Sequence, residues 1–192
     1  MKKISLFYFS SCIAFIISCN TQNQTKPTNY FDLTAYLNGQ LKELYAQKFK
    51  LDKTSIAEDK SDMYSLAVVD WSRELQMFYN SDINKSGYDG KYSVDSIRIM
   101  KDTFPELKVT YSAIDSSLYT KQMEIYFSRT TNKVVYIRIK NSNHNFFVDN
   151  TTDIQYIPLT EIAINMRQKK LLGPLNEFKM RGVITHGSGY FQ

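Results

Sequence analysis

The sequence predicts an α+β domain, two N-terminal helices packed on an antiparallel β-sheet of about six to eight strands. Three observations carry that reading. Leucines recur at helical spacing early in the chain, short runs rich in Val, Ile, Tyr and Phe fill the stretch after residue 90, and no long helical pattern interrupts those runs. Strands that follow one another without crossover helices pair antiparallel.

The first helix is expected over Tyr30–Gln47, where Leu33, Leu37, Leu41 and Leu44 recur at four, four and three residues and trace one face. Asn29 or Thr28 would cap it, and Gly39 inside it costs about 1 kcal/mol against alanine. Phe49–Ile56 and Met63–Val69 flank Ala57–Asp62, a charged segment that reads as the solvated turn of a hairpin. Asp70 is placed to cap a second helix over Trp71–Asn80, with Trp71, Leu75, Phe78 and Tyr79 on one face. Strands are then expected at Tyr92–Met100, Leu107–Ile114, Gln122–Ser128, Val134–Lys140, Asn145–Val148, Ile154–Ile157, Glu161–Arg167 and Glu177–Ile184. The helices belong toward the amino-terminal end of that sheet. Asp149-Asn150-Thr151-Thr152-Asp153 and Gly173-Pro174 read as turns.

The sharpest local expectation is a hairpin around Arg129-Thr130-Thr131-Asn132-Lys133. Met123, Ile125 and Phe127 alternate with polar residues before it, and Val135, Ile137 and Ile139 alternate after it. Both apolar sets face one core if Phe127 pairs with Val135 and Ile125 with Ile137. That register sets Tyr126 opposite Tyr136 and Glu124 opposite Arg138 on the outer face.

Composition excludes several classes of function. The chain has 24 Lys plus Arg against 19 Asp plus Glu, scattered rather than blocked, which is a solvated surface and not a nucleic-acid footprint. Of its 2 cysteines and 2 histidines, Cys12 falls in the leader and His144 and His186 lack a ligand spacing, so no zinc site and no cofactor is expected. Asp82-Ile83-Asn84-Lys85-Ser86-Gly87 opens like a calcium loop, yet Ser93 stands where a closing carboxylate belongs; the segment reads better as a turn with Gly87 at positive φ. Gly187-Ser188-Gly189 lacks the strand and helix of a nucleophile elbow. Glu124, Glu161 and Glu177 are dispersed carboxylates of the kind a hydrolase would have to gather.

Residues 1–18 have the form of a lipoprotein signal peptide: Lys2 and Lys3, an apolar run from Ile4 to Ile17, and then Ile16-Ile17-Ser18-Cys19, which resembles a bacterial lipobox. Cys19 is thus the expected lipidation site, and its acyl chains would hold the protein to a membrane. Residues 19–28 are polar and read as a flexible tether; nine extended residues reach up to ~30 Å. A single domain is expected over 29–185 and a frayed tail over 186–192. The tether carries no acidic cluster, which favours a periplasm-facing protein.

The order of these features, Cys19, then Tyr30-Phe31-Asp32-Leu33, Asp70-Trp71-Ser72-Arg73-Glu74-Leu75, Asp82-Ile83-Asn84-Lys85 and strands to the end, resembles a group of small lipoproteins of Bacteroidota. The resemblance implies an outer-membrane lipoprotein with an antiparallel α+β domain and brings no activity with it. Asp95-Ser96-Ile97 is similar to the short acceptor sequence for protein O-glycosylation in that phylum.

The expectation is a non-enzymatic envelope domain, anchored by lipid, that binds an envelope protein or glycan through an outward strip of Tyr126, Tyr136 and Arg138. Two other classes stay open: a carrier of a hydrophobic ligand in a cavity under the sheet, and a hydrolase built from dispersed acids.

Overall fold

The computed structural model describes residues 30–58, 60–101 and 104–186; the leader, Cys19, the tether and the glycine-rich tail lie outside the described residues. Asp32 caps the first helix, α1 (Leu33–Ala46), its carboxylate accepting from Ala35 N at 2.8 Å. The expected caps at residues 28 and 29 are therefore replaced by a later one, since a carboxylate three residues before a free helical N–H meets that donor directly. Leu33, Leu37 and Leu44 are buried and Leu41 partly so.

The hairpin β1 (Lys50–Ala57) and β2 (Lys60–Leu66) turns more tightly than its charged segment suggested, with Ala57 paired to Lys60 and Glu58 at φ 49°. Asp70 then caps as expected, accepting from Arg73 N at 3.2 Å. The expected single helix is split at Leu75 into α2 (Trp71–Glu74) and α3 (Gln76–Asn80), while Trp71, Leu75 and Phe78 still point into one core.

Seven further strands follow: β3 (Tyr92–Lys101), β4 (Phe104–Ala113), β5 (Thr120–Ser128), β6 (Val134–His144), β7 (Val148–Ile157), β8 (Glu161–Lys170) and β9 (Leu175–Thr185). All described strands form one antiparallel sheet of nine in the order β2-β1-β9-β8-β7-β6-β5-β4-β3. The strand number exceeds the expected range for a physical reason. The N-terminal hairpin joins the same sheet by pairing β1 with β9, Leu51 opposite Ile184.

Of the two strands expected here, Ile154–Ile157 lies within β7, whereas Asn145–Val148 is the β6–β7 turn except for Val148, and the segment Asp149–Asp153 is strand and not turn. Asn and Asp are poor strand formers, but here the backbone is bonded on both sides, to β6 and to β8.

The helices also sit differently from the expectation, lying across one face of the sheet rather than at one end of it. Phe31, just before α1, meets Phe127 of β5 at 6.0 Å, Gln40 of α1 accepts from the Tyr156 hydroxyl of β7, and Lys53 of β1 pairs with Glu74 of α2 at 2.8 Å. Met123, Ile125, Ile137, Ile139, Ile154, Ile162 and Ile184 supply the sheet's side of the core. A buried polar chain fixes the loop after α3: Asn141 donates to Ser81 Oγ at 2.8 Å, Thr120 Oγ1 to the Ser81 carbonyl at 3.0 Å, and the Tyr92 hydroxyl to the Thr120 carbonyl at 2.9 Å. These bonds meet the buried donors of the chain, which makes their burial tolerable, while Asn141 Oδ1 is buried without a hydrogen-bond partner. No described helix is long and apolar enough to cross a membrane.

Candidate functional site

The β5–β6 hairpin builds the surface strip. Ile125 pairs with Ile137, Tyr126 with Tyr136 and Glu124 with Arg138, as the alternation requires. Phe127 pairs with Val134 instead of Val135, because the register shifts between Tyr126 and Phe127. A β-bulge there places an extra residue on one strand and turns Val134, not Val135, onto the core. Asn132 at φ 53° closes the turn, its N–H donating to the Ser128 carbonyl at 2.7 Å; asparagine tolerates that left-handed conformation well.

The three strip residues do come together on the sheet face opposite the helices. The Tyr126 and Tyr136 rings lie 5.2 Å apart, inclined at 59°. Arg138 reaches diagonally to Asp153 of β7, its Nε donating to Oδ1 at 3.1 Å and its Nη2 to Oδ2 at 2.5 Å. This fork-to-carboxylate bond is the first cause holding the guanidinium pKa above its ordinary value. Burial pushes the Tyr136 hydroxyl pKa up, so it stays a neutral phenol. On the other flank Lys108 of β4 pairs with Glu124 at 3.2 Å. The strip is thus an aromatic pair between two ion pairs rather than an aromatic pair beside a bare cation.

Next to it lies a groove of about 610 Å³ that sequence reasoning did not find. Its walls include two adjacent cross-strand rows: Lys140, Asp153, Asn165 and Lys179, and Ser142, Thr151, Arg167 and Glu177. The row between them, with Asn141 and Thr152 buried, turns its side chains toward the helices. The signal was hidden because the rows run across four strands, one of them β7, whose Asp, Asn and Thr residues imitate a turn.

The remaining candidates are held in structural roles. Asp82 Oδ2 accepts from Thr34 Oγ1 at 2.7 Å, Asp82 Oδ1 from Asn84 N at 3.0 Å, and Asn84 Nδ2 donates to the Phe31 carbonyl at 2.8 Å. The calcium-like segment therefore ties the loop to the start of α1, with Gly87 at φ 85°. Among the described residues no group of three or more His, Cys, Asp and Glu is placed to hold a metal ion. Glu161 pairs with Arg181 at 2.6 Å and Glu177 with Arg167 at 2.9 Å, so each dispersed acid, like Glu124, is held by a cation. His144 is exposed, 3.8 Å from Asp149, and the His186 ring lies 4.4 Å from that of Phe49. Ser96 is exposed on β3, an edge strand of the sheet. Gly187-Ser188-Gly189 falls outside the described residues.

No protein family, no curated protein and no solved structure was found to match this chain.

Proposed function

We propose that this chain is a non-enzymatic lipoprotein of the outer membrane, anchored through Cys19 on the periplasmic side, whose domain binds an envelope protein or glycan on the outer face of its sheet. The observation that carries the reading is the registered pair of Tyr126 and Tyr136 beside the groove. Aromatic side chains on a rigid sheet offer large contact area at small entropic cost, and tyrosine adds a hydroxyl to satisfy a polar partner. The flanking pairs Lys108–Glu124 and Arg138–Asp153 are already neutralised, so covering them with a partner buries no lone charge. The space between helices and sheet is occupied by Trp71, Phe78 and Tyr156, which favours the surface over the interior as the place of binding.

Affinity capture from detergent-solubilised envelopes tests it. A partner recovered with the wild-type chain is expected to be lost when Tyr126 and Tyr136 are both changed to alanine. Recovery that is unaffected by the double substitution removes the strip as the binding surface.

A further inference from the structure

An apolar surface remains that neither the core nor the outer face uses. Phe146 and Phe147, in the turn between β6 and β7, are 77% and 68% exposed, and Leu171 and Leu172, in the turn between β8 and β9, are 60% and 94% exposed. The two turns touch. Leu171 N donates to the Phe147 carbonyl at 2.9 Å, and the two phenylalanine rings meet edge to face with centroids 5.1 Å apart. Leu175, 55% exposed, extends the patch at the start of β9. Turn tips in water favour polar side chains, so a contiguous apolar cap spread over two of them marks a contact surface.

Part of the cap's backbone is satisfied within the turns themselves. Asn145 Oδ1 accepts from Phe147 N at 2.9 Å and from Val148 N at 2.8 Å, while Asn145 N donates to the Val148 carbonyl at 2.9 Å. A turn facing water can leave such donors to solvent; in hydrocarbon an unmet donor is costly. Lys169 and Lys170 stand beside the cap, with Asp149 close to His144. Lysine stems lie along an apolar surface while the ammonium reaches outward to headgroups.

The place where the described chain begins points to the same occupant. The Tyr30 hydroxyl accepts from Tyr92 N at 3.2 Å, at the first residue of β3. Following the register, Tyr92 with Ala113, Ser112 with Gln122, Thr120 with Asn141, His144 with Asp149 and Val148 with Lys170, puts this entry point and both tips at one end of the sheet. Strands spaced ~4.8 Å apart set β3 and β7 about 20 Å from each other. The segment from Cys19 to Tyr30 covers that distance when extended.

We propose that the Phe146-Phe147 and Leu171-Leu172 tips dip into the interfacial layer of a phospholipid bilayer, so that the domain stands on the membrane by this end. The tether argument rests on the proposed lipid at Cys19; the cap itself does not. Standing in this way, the domain holds its outer sheet face to the side, open to a partner.

Quenching by brominated acyl chains tests it on the full chain, expressed with its leader and reconstituted into phosphatidylcholine–phosphatidylglycerol vesicles. The native Trp71 is buried and leaves a low background. Phe147→Trp puts an indole on the cap; Val68→Trp puts one at an exposed position following β2, whose last residue Leu66 pairs with Leu51 at the opposite end of the sheet. Severalfold stronger quenching at position 147 is expected, and its loss when Phe146 and Leu172 are also changed to serine. Equal quenching at the two positions, none at position 147, or quenching that survives the serine pair overturns the proposal. Acylation of Cys19, read by mass on the same protein, varies independently. An acylated chain without quenching at position 147 removes the cap and leaves the anchor, while an unacylated chain with such quenching removes the anchor and leaves the cap.

Discussion

Tyr156 joins the sheet to the helices through one hydroxyl. It donates to Gln40 Oε1 at 3.0 Å and accepts from Leu159 N at 3.3 Å, with the ring fully buried against Phe78. Burial is the main cause that raises its pKa from 10.0 to about 12. Tyr36 and Tyr92 are raised in the same direction, again chiefly by burial. The unfolded chain releases these protons first as pH rises, so the contribution is complete below pH 10 and is lost as pH climbs through about 12. For Tyr156 that loss amounts to roughly 2–3 kcal/mol. Urea denaturation from pH ~8 to ~12 is expected to show falling stability, with a shallower alkaline slope in Tyr156→Phe. Parallel slopes in the two proteins would show that this phenol does not couple folding to pH. Gly182 is the other position where a single atom decides the packing. A Cβ there would stand 2.9 Å from Leu51 Cδ1, so β1 and β9 come together with that leucine lying over bare backbone.

At the scale of elements, what was legible in the sequence was the alternation and the caps. Ile125, Ile137, Tyr126 and Tyr136 follow the period of a strand, and their pairing came out as alternation demands. Asp70 was visible as a cap because its carboxylate acts on a donor three residues away. The bulge at Phe127 was not visible, since either Val134 or Val135 satisfies a core position and the choice is made by how the turn closes. Nor was the strand state of Asp149–Asp153 in β7, because the partners that hold it come from elsewhere: Asp153 is bound by Arg138, and Thr152 is buried. The β1–β2 turn yields a prediction at this scale. Glu58 sits at φ 49°, a conformation that costs a glutamate roughly 1–2 kcal/mol and that asparagine adopts more readily. Glu58→Asn is expected to raise stability by about 0.5 kcal/mol, read as a higher thermal midpoint. A lowered midpoint would mean that the glutamate side chain contributes more than its backbone conformation costs.

For the whole molecule the decisive pairing is β1 with β9, which brings Leu51 beside Ile184 and ties the first hairpin to the last strand. Contacts so distant in sequence form late and slow folding through the entropy of closing the loop. Ending the chain after Gly173 removes β9 and leaves the β1–β2 hairpin without its neighbour. An isolated two-stranded hairpin is marginal in water. The shortened chain is expected to lose its cooperative urea transition, and a retained transition at the same midpoint would show that β9 and its pairing with β1 are dispensable to the core.

The sequence by itself determined what acts over a few residues: the helical leucine spacing, the carboxylate at Asp70, the inward and outward faces of β5 and β6, and hence the meeting of Tyr126 with Tyr136. Only the tertiary structure decided the order of the strands, the strand state of Asp149–Asp153, the pairing of Arg138 with Asp153, and the meeting of Phe147 with Leu171 at one end of the sheet. The division has a physical cause. Period and capping depend on neighbours along the chain, whereas strand adjacency and ion-pair choice depend on residues that become neighbours only when the sheet closes around its core.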